Sequence, residues 1–194
     1  MMKPRTRLYV LASGVAAVAV AAVLYGIFGL GVHGANQPPA VLGRLKLTDG
    51  TPEIAAVHFA DAEGKEIKLA DFKGRYVLLN LWATWCGPCI EELPSLAHLR
   101  SELPDKQIVV LPVDMEKLDT ARVEDFFAKH DLTGLPVYID KDYSAMRGFV
   151  ANELPLTILI DAQGHEVARA AGAEKWDDPA SVAYLTKISA PKAK

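Results

Sequence analysis

Trp85-Cys86-Gly87-Pro88-Cys89 holds both cysteines of this 194-residue chain, and its flanks decide where it sits. Upstream, Tyr76-Val-Leu-Leu-Asn-Leu-Trp82 is an apolar run rich in β-formers and short enough for a buried strand. Downstream, Leu93, Leu96, Ala97 and Leu99 recur at helical spacing within the stretch 90–103. The five residues therefore occupy a strand-to-helix turn, with Pro88 near the first helical turn, where a missing N–H costs little. Cysteines at i and i+3 on such a turn can come within disulfide range. Free N–H groups and the positive dipole end of a starting helix favour a thiolate. Cys86, nearer to that end, is the expected nucleophile. The pattern is that of a dithiol that is oxidised and reduced.

Two blander readings compete. A purely structural disulfide closing so small a ring would remove only about 2 kcal/mol of unfolded-chain entropy, against ~4.7 kcal/mol for a 100-residue loop. A zinc site would need a second pair of ligands, yet there is no third cysteine, and His33, His58, His98, His130 and His165 are scattered. No metal and no cofactor is expected beyond the dithiol itself.

The stretch Asn80-Leu-Trp-Ala-Thr-Trp-Cys-Gly-Pro-Cys89 resembles the active-site segment of the thioredoxin superfamily. Its Asn-x-Trp-Ala-Thr-Trp-Cys form is similar to the membrane-anchored TlpA/ResA-like thiol:disulfide oxidoreductases. Ala170-Ala-Gly-Ala-Glu-Lys-Trp176 resembles the TlpA-type members of that branch. The similarity spans roughly residues 53–188.

The N-terminus carries a different signal. Met1–Arg7 has Lys3, Arg5 and Arg7 and no acid, and residues 8–32 then run without a charge. As a helix that run would be ~37 Å long, against a bilayer core of about 30 Å. It is expected to be a retained transmembrane signal-anchor with the basic end in the cytoplasm. A cleaved signal peptide would have a shorter apolar core and an Ala-x-Ala-like exit, whereas His33-Gly34-Ala35 puts a histidine where a small residue is wanted. Residues 33–52, with Pro38-Pro39 and several glycines, read as a linker, 53–190 as the folded domain and 191–194 as a tail. The whole chain has net charge −3; without Lys3, Arg5 and Arg7 its 21 basic residues become 18 against 24 acidic, a net −6. Such a balance argues against nucleic acid or anionic lipid as a partner.

The domain itself alternates strand and helix signals. Val57–Phe59 and Ile67–Leu69 flank Asp61-Ala-Glu-Gly64 as a hairpin. A strand is expected over Ile108–Asp114, a helix over Ala121–His130, a short strand at Val137–Ile139 and a short helix at Ser144–Val150. Thr157–Ile160 and Glu166–Arg169 should pair, and Asp178-Pro179 should open a last helix to about Ile188. This is an α/β layered sheet. The resemblance makes it a thioredoxin-like fold, a central mixed sheet flanked by helices, behind an N-terminal transmembrane helix.

The resemblance also assigns supporting residues. Pro155 becomes the superfamily's cis-proline beside the dithiol, and the backbone of Leu154 can then pair with an extended substrate strand. Pro94 inside the helix matches a proline of thioredoxins. Where cytosolic thioredoxins bury an aspartate six residues before the first cysteine, this chain has Asn80, which cannot ionise. Glu92, three residues after Cys89 and on one helical face with it, matches a glutamate of the ResA-like branch and is the candidate proton acceptor; Glu91 is its surface neighbour. Trp82 should pack, and Trp85 should touch a partner. Gly87 and Pro88 complete the motif.

The implied activity is an extracytoplasmic thiol:disulfide oxidoreductase, a reductase in which Cys86 attacks a client disulfide and Cys89 resolves the mixed disulfide. Expected partners are an exported thiol or disulfide client, such as a metalloprotein or cytochrome-assembly protein, and a membrane thiol donor. The protein is expected to be a monomer in the cytoplasmic membrane with its C-terminal domain facing the periplasm or cell exterior. One alternative is an oxidase that installs disulfides. Another, of a different class, is a copper chaperone similar to Sco proteins, against which stands the Cys-x-x-Cys spacing in place of Cys-x-x-x-Cys.

Overall fold

The computed structural model describes residues 37–49, 56–103, 107–132 and 134–190. The apolar stretch 8–32, the basic segment before it and the tail 191–194 lie outside the described residues. Among the described residues no helix is long and apolar enough to cross a membrane. In chain order the elements are a 3-10 turn at Ala40–Leu42, β1 (Lys46–Leu47), β2 (His58–Ala60), β3 (Glu66–Lys68), a 3-10 turn at Leu69–Phe72 and β4 (Tyr76–Trp82). Then come α1 (Gly87–Glu102), β5 (Ile108–Asp114), α2 (Thr120–Lys129), β6 (Tyr138–Ile139), α3 (Ser144–Gly148), β7 (Leu156–Ile160), β8 (Glu166–Ala171) and α4 (Pro179–Ser189).

The strands form a mixed sheet in the order β1-β8-β7-β4-β5-β6-β2-β3. β4 pairs parallel with β5 and antiparallel with β7, so the strand that leads into the cysteines is central. Its side chains alternate between two cores, as a strand's period of two requires. Val77, Leu79 and Leu81 join the cluster that contains Phe59, Leu111, Phe149 and Ile158. Leu78 and Trp82 join the other cluster, with Cys86, Cys89, Leu93, Leu96 and Leu99. Asn80 falls on this second face and is 1% exposed, which sets an amide beneath α1.

Among the described residues, three of the four α-helix starts have a side-chain cap. Cys86 is the N-cap of α1, in extended conformation, and Gly87 and Pro88 follow. Asp119 caps α2 by accepting the Arg122 N–H at 2.9 Å, and Asp178 caps α4 by accepting the Ala180 N–H at 2.9 Å. α1 runs through Pro94 without ending there. Trp82 is fully buried, with Phe126 and Phe127 of α2 at ring-centroid distances of 5.3 Å each.

The linker boundary needs correction. Residues 33–52 were expected to connect, but the compact unit begins at Pro38. Leu42 and Leu45 are buried in the main core, and β1 adds to the outer edge of β8 in antiparallel register. Thr48 extends the pairing, donating its N–H to Val167 and its hydroxyl to Glu166. The Arg44 N–H donates to the Glu174 carboxylate, and its side chain lies over Gly172, where a Cβ would approach it to 3.0 Å. Gly172 also has φ +94, a region side chains disfavour. Two apolar residues three apart are enough to dock this strap, and a strand of two residues leaves no periodicity to read.

Candidate active site

Cys86 and Cys89 are joined in a disulfide with Cα atoms 5.2 Å apart. The Cys89 N–H donates to Cys86 Sγ at 3.3 Å, so the N-cap role usually taken by an oxygen falls to a sulfur. Both cysteines are buried, while Gly87 and Pro88 are exposed and Trp85 stands 72% exposed beside them. Trp85 therefore faces outward and Trp82 packs inward.

Glu92 lies one helical turn beyond Cys89 and is 2% exposed, whereas Glu91 is exposed. Its carboxylate has three donors. Oε1 accepts the indole N–H of Trp176 and the Glu174 N–H, the latter at 3.1 Å. Oε2 accepts the Asn80 amide at 3.0 Å, and the same amide nitrogen donates to Thr157 at 2.8 Å. Burial lifts the Glu92 carboxyl from 4.5 to about 7; the bonds from Trp176, Glu174 and Asn80 pull the other way, and the nearby Glu174 adds to the rise. A carboxyl so placed can exchange a proton near neutral pH.

The Leu154–Pro155 peptide is cis, as the resemblance implied. Pro155 is buried at the head of β7, and Leu154 packs against the core cluster that contains both cysteines. Leu154 and Trp85 together line one groove. All the site residues named from the sequence thus lie around one end of β4 and β7 or the start of α1. Trp176 and Glu174 carry no role that local sequence pattern reveals. The signal there was Glu174-Lys-Trp176, an alternation just after β8, but its contact with Glu92 spans the chain. Asp114, at the end of β5, was also passed over; burial lifts its carboxyl to about 6, opposed by its bond from the Glu116 N–H. Among the described residues no group of three His, Cys, Asp or Glu is arranged to hold a metal ion.

A dithiol at the N-cap of the first long helix, a cis-proline leading into β7 and a mixed central sheet define the thioredoxin class of thiol-disulfide oxidoreductase. The family model of AhpC/TSA proteins matches residues 48–183. Thiol-disulfide oxidoreductase ResA of Bacillus thuringiensis subsp. konkukian is 36% identical over 129 residues, covering 66% of this chain and 72% of the relative. ResA of Bacillus subtilis is 28% identical over 166 residues, 86% of each chain. In fold, the thioredoxin domain of a thiol-disulfide oxidoreductase from Bacteroides vulgatus superposes with a TM-score of 0.60 at 22% identity, covering 75% of this chain and all of that one. The chain belongs to the AhpC/TSA family and, within the thioredoxin superfamily, to its ResA-like thiol-disulfide oxidoreductases. Enzymes of this class work through a redox-active cysteine pair, and Cys86 and Cys89 are the two cysteines of this chain.

Proposed function

We propose that the protein is an extracytoplasmic disulfide reductase, held to the membrane by residues 8–32, that keeps cysteines of exported metalloprotein or cytochrome-assembly clients reduced. The Cys86 thiolate attacks one sulfur of a client disulfide; a mixed disulfide forms and the other client sulfur leaves as thiolate. Glu92 takes the proton of Cys89. The Cys89 thiolate then attacks Cys86 Sγ, closing the Cys86–Cys89 disulfide and releasing the second client thiolate. Two electrons have passed to the client, and a membrane thiol donor returns them to the pair. Leu154 and Pro155 would hold the client backbone, with Trp85 against its side chains. The protein acts as a monomer in this scheme.

The observation that carries the direction is the setting of Cys86. Its sulfur accepts one backbone N–H, from Cys89, and the intervening Gly87 and Pro88 bring no charge. Thiolate stabilisation is then left mainly to the helix start. A modestly stabilised thiolate means a modestly stabilised reduced form, and so a better reductant. Strong dithiol oxidants lie ~150 mV above thioredoxin, about 7 kcal/mol for two electrons. Equilibration of the protein with glutathione, read by thiol labelling, is expected to give a potential near thioredoxin's, about −270 mV. A value near −120 mV would replace the reductase reading with the oxidase.

The anchor rests on the uncharged run 8–32 behind Lys3, Arg5 and Arg7. A reporter fused after Lys194 should be active outside the cytoplasm and sediment with membranes. Recovery of the reporter as a shortened soluble form would mean cleavage instead.

A further inference from the structure

Beside the disulfide lies an open groove of about 780 Å³. Three side chains that line it, Trp85, Met146 and Tyr143, are large and apolar yet 72%, 41% and 37% exposed. Exposed apolar side chains gathered in one place mark an interaction surface. Leu154 closes the groove on the cis-proline side, and neither its N–H nor its C=O is bonded to another described residue. An extended segment could use both.

Two carboxylates line the groove, Glu116 and Glu153, and among the described residues no lysine or arginine lines it. Glu116 is fixed in place, because its carboxylate accepts the N–H of Thr84, the residue before Trp85. Lys117, the residue after Glu116, has its ammonium engaged by the Tyr143 ring at 3.8 Å from the centroid. Of the lining residues, Tyr143 has φ of 62°, in the left-handed region that side chains disfavour.

We propose that this groove selects client segments that carry a lysine or arginine beside an apolar side chain, close to the disulfide being reduced. The inference rests on the client-reducing function proposed above and names the class of segment it prefers. Met115 and Met146 are unbranched and adapt to many shapes, so the apolar partner is loosely specified. The two carboxylates specify the sign of the neighbouring charge. The net charge of −6 outside the basic N-terminal segment disfavours a second copy of this chain as the occupant.

The test uses the reduced full-length chain in detergent micelles. Two eight-residue peptides are compared, each with one cysteine disulfide-bonded to a chromophoric thiol and leucine beside it. One carries lysine two positions from the cysteine, the other glutamate. The lysine peptide is expected to react about fivefold faster or more at low ionic strength, the size of an exposed ion pair set against a like-charge contact. The ratio should shrink toward one in ~1 M salt, in Glu116→Gln/Glu153→Gln and in part in Glu153→Gln alone. A ratio within twofold in the unmodified protein, or one unchanged in the double variant, would overturn the proposal. Rates that fall as protein concentration rises, together with dimers on sedimentation, would mean a second copy covers the groove and would overturn it too. Hydroxyethyl disulfide, small and uncharged, separates the two levels. If it is not reduced, the reductase reading fails; if it is reduced and the peptides are not distinguished, only the groove proposal fails.

Discussion

The indole N–H of Trp176 donates to the carboxylate of Glu92, 84 positions earlier in the chain. This bond ties the loop after β8 to the helix that carries both cysteines, one turn from Cys89. It also favours the ionised form of a carboxyl that burial drives toward neutrality. Trp176→Phe keeps most of the packing and removes the donor. Glu92 should then hold its proton to higher pH, and the pH at which mixed-disulfide resolution becomes fast should move upward by about one unit. Glu92→Gln should slow that resolution at neutral pH by roughly tenfold or more and flatten its rise through pH 7, while Glu91→Gln on the exposed face should do little. Stopped-flow release of a labelled client thiol between pH 5 and 9 measures all three. Equal small effects of Glu92→Gln and Glu91→Gln would remove Glu92 from the proton path.

Stability should carry the mark of the same carboxyl. In the folded protein Glu92 is raised from 4.5 to about 7, so the folded state binds its proton more tightly than the unfolded chain. The associated stability is fully present below pH ~4.5 and is lost as pH rises through about 7. For Glu92 the loss is about 3 kcal/mol across that window. Asp114, raised from 3.8 to about 6, acts in the same direction. Glu92→Gln should therefore gain on the unmodified protein between pH 4 and pH 8. Urea midpoints of both proteins at the two pH values give the difference; a variant that loses ground at pH 8 would contradict the assignment.

Order of reactivity is a third expectation. Cys86 caps the helix and its neighbours Trp85, Gly87 and Pro88 are exposed, whereas Cys89 is 1% exposed inside the first turn. In the reduced protein iodoacetamide should modify Cys86 first, by about tenfold or more. Peptide mapping after brief treatment reads the ratio directly. Preferential labelling of Cys89 would reverse the roles of the two sulfurs.

The parts of this site that were legible in sequence are those fixed by local periodicity. A strand of period two and a helix of period 3.6 place Asn80 and Glu92 toward each other once α1 is laid on β4. The cysteines needed only the turn between them. Trp176 was not legible as a partner of Glu92, because the loop that carries it follows β8 and meets α1 only through the closed sheet. The groove was illegible for a similar reason: Trp85, Glu116, Tyr143 and Leu154 come from four separate connections, none with a periodic signal. Helix limits drifted by a few residues. α1 shows its apolar spacing only from residue 90, though it begins at Gly87 with Pro88 in its first turn as expected, since caps and first-turn residues carry little apolar pattern.

The strap of residues 38–48 has a practical consequence for anyone cutting the domain free of its N-terminus. The boundary suggested by sequence, residue 53, would remove Leu42 and Leu45 from the core in which both cysteines sit. It would also strip β1 and Thr48 from β8, baring a row of unpaired backbone groups at a sheet edge, the kind of surface on which chains stack and aggregate. The Glu174 carboxylate would lose the Arg44 N–H, two residues from the indole that holds Glu92. A soluble fragment meant to report on this enzyme has to start no later than Pro38.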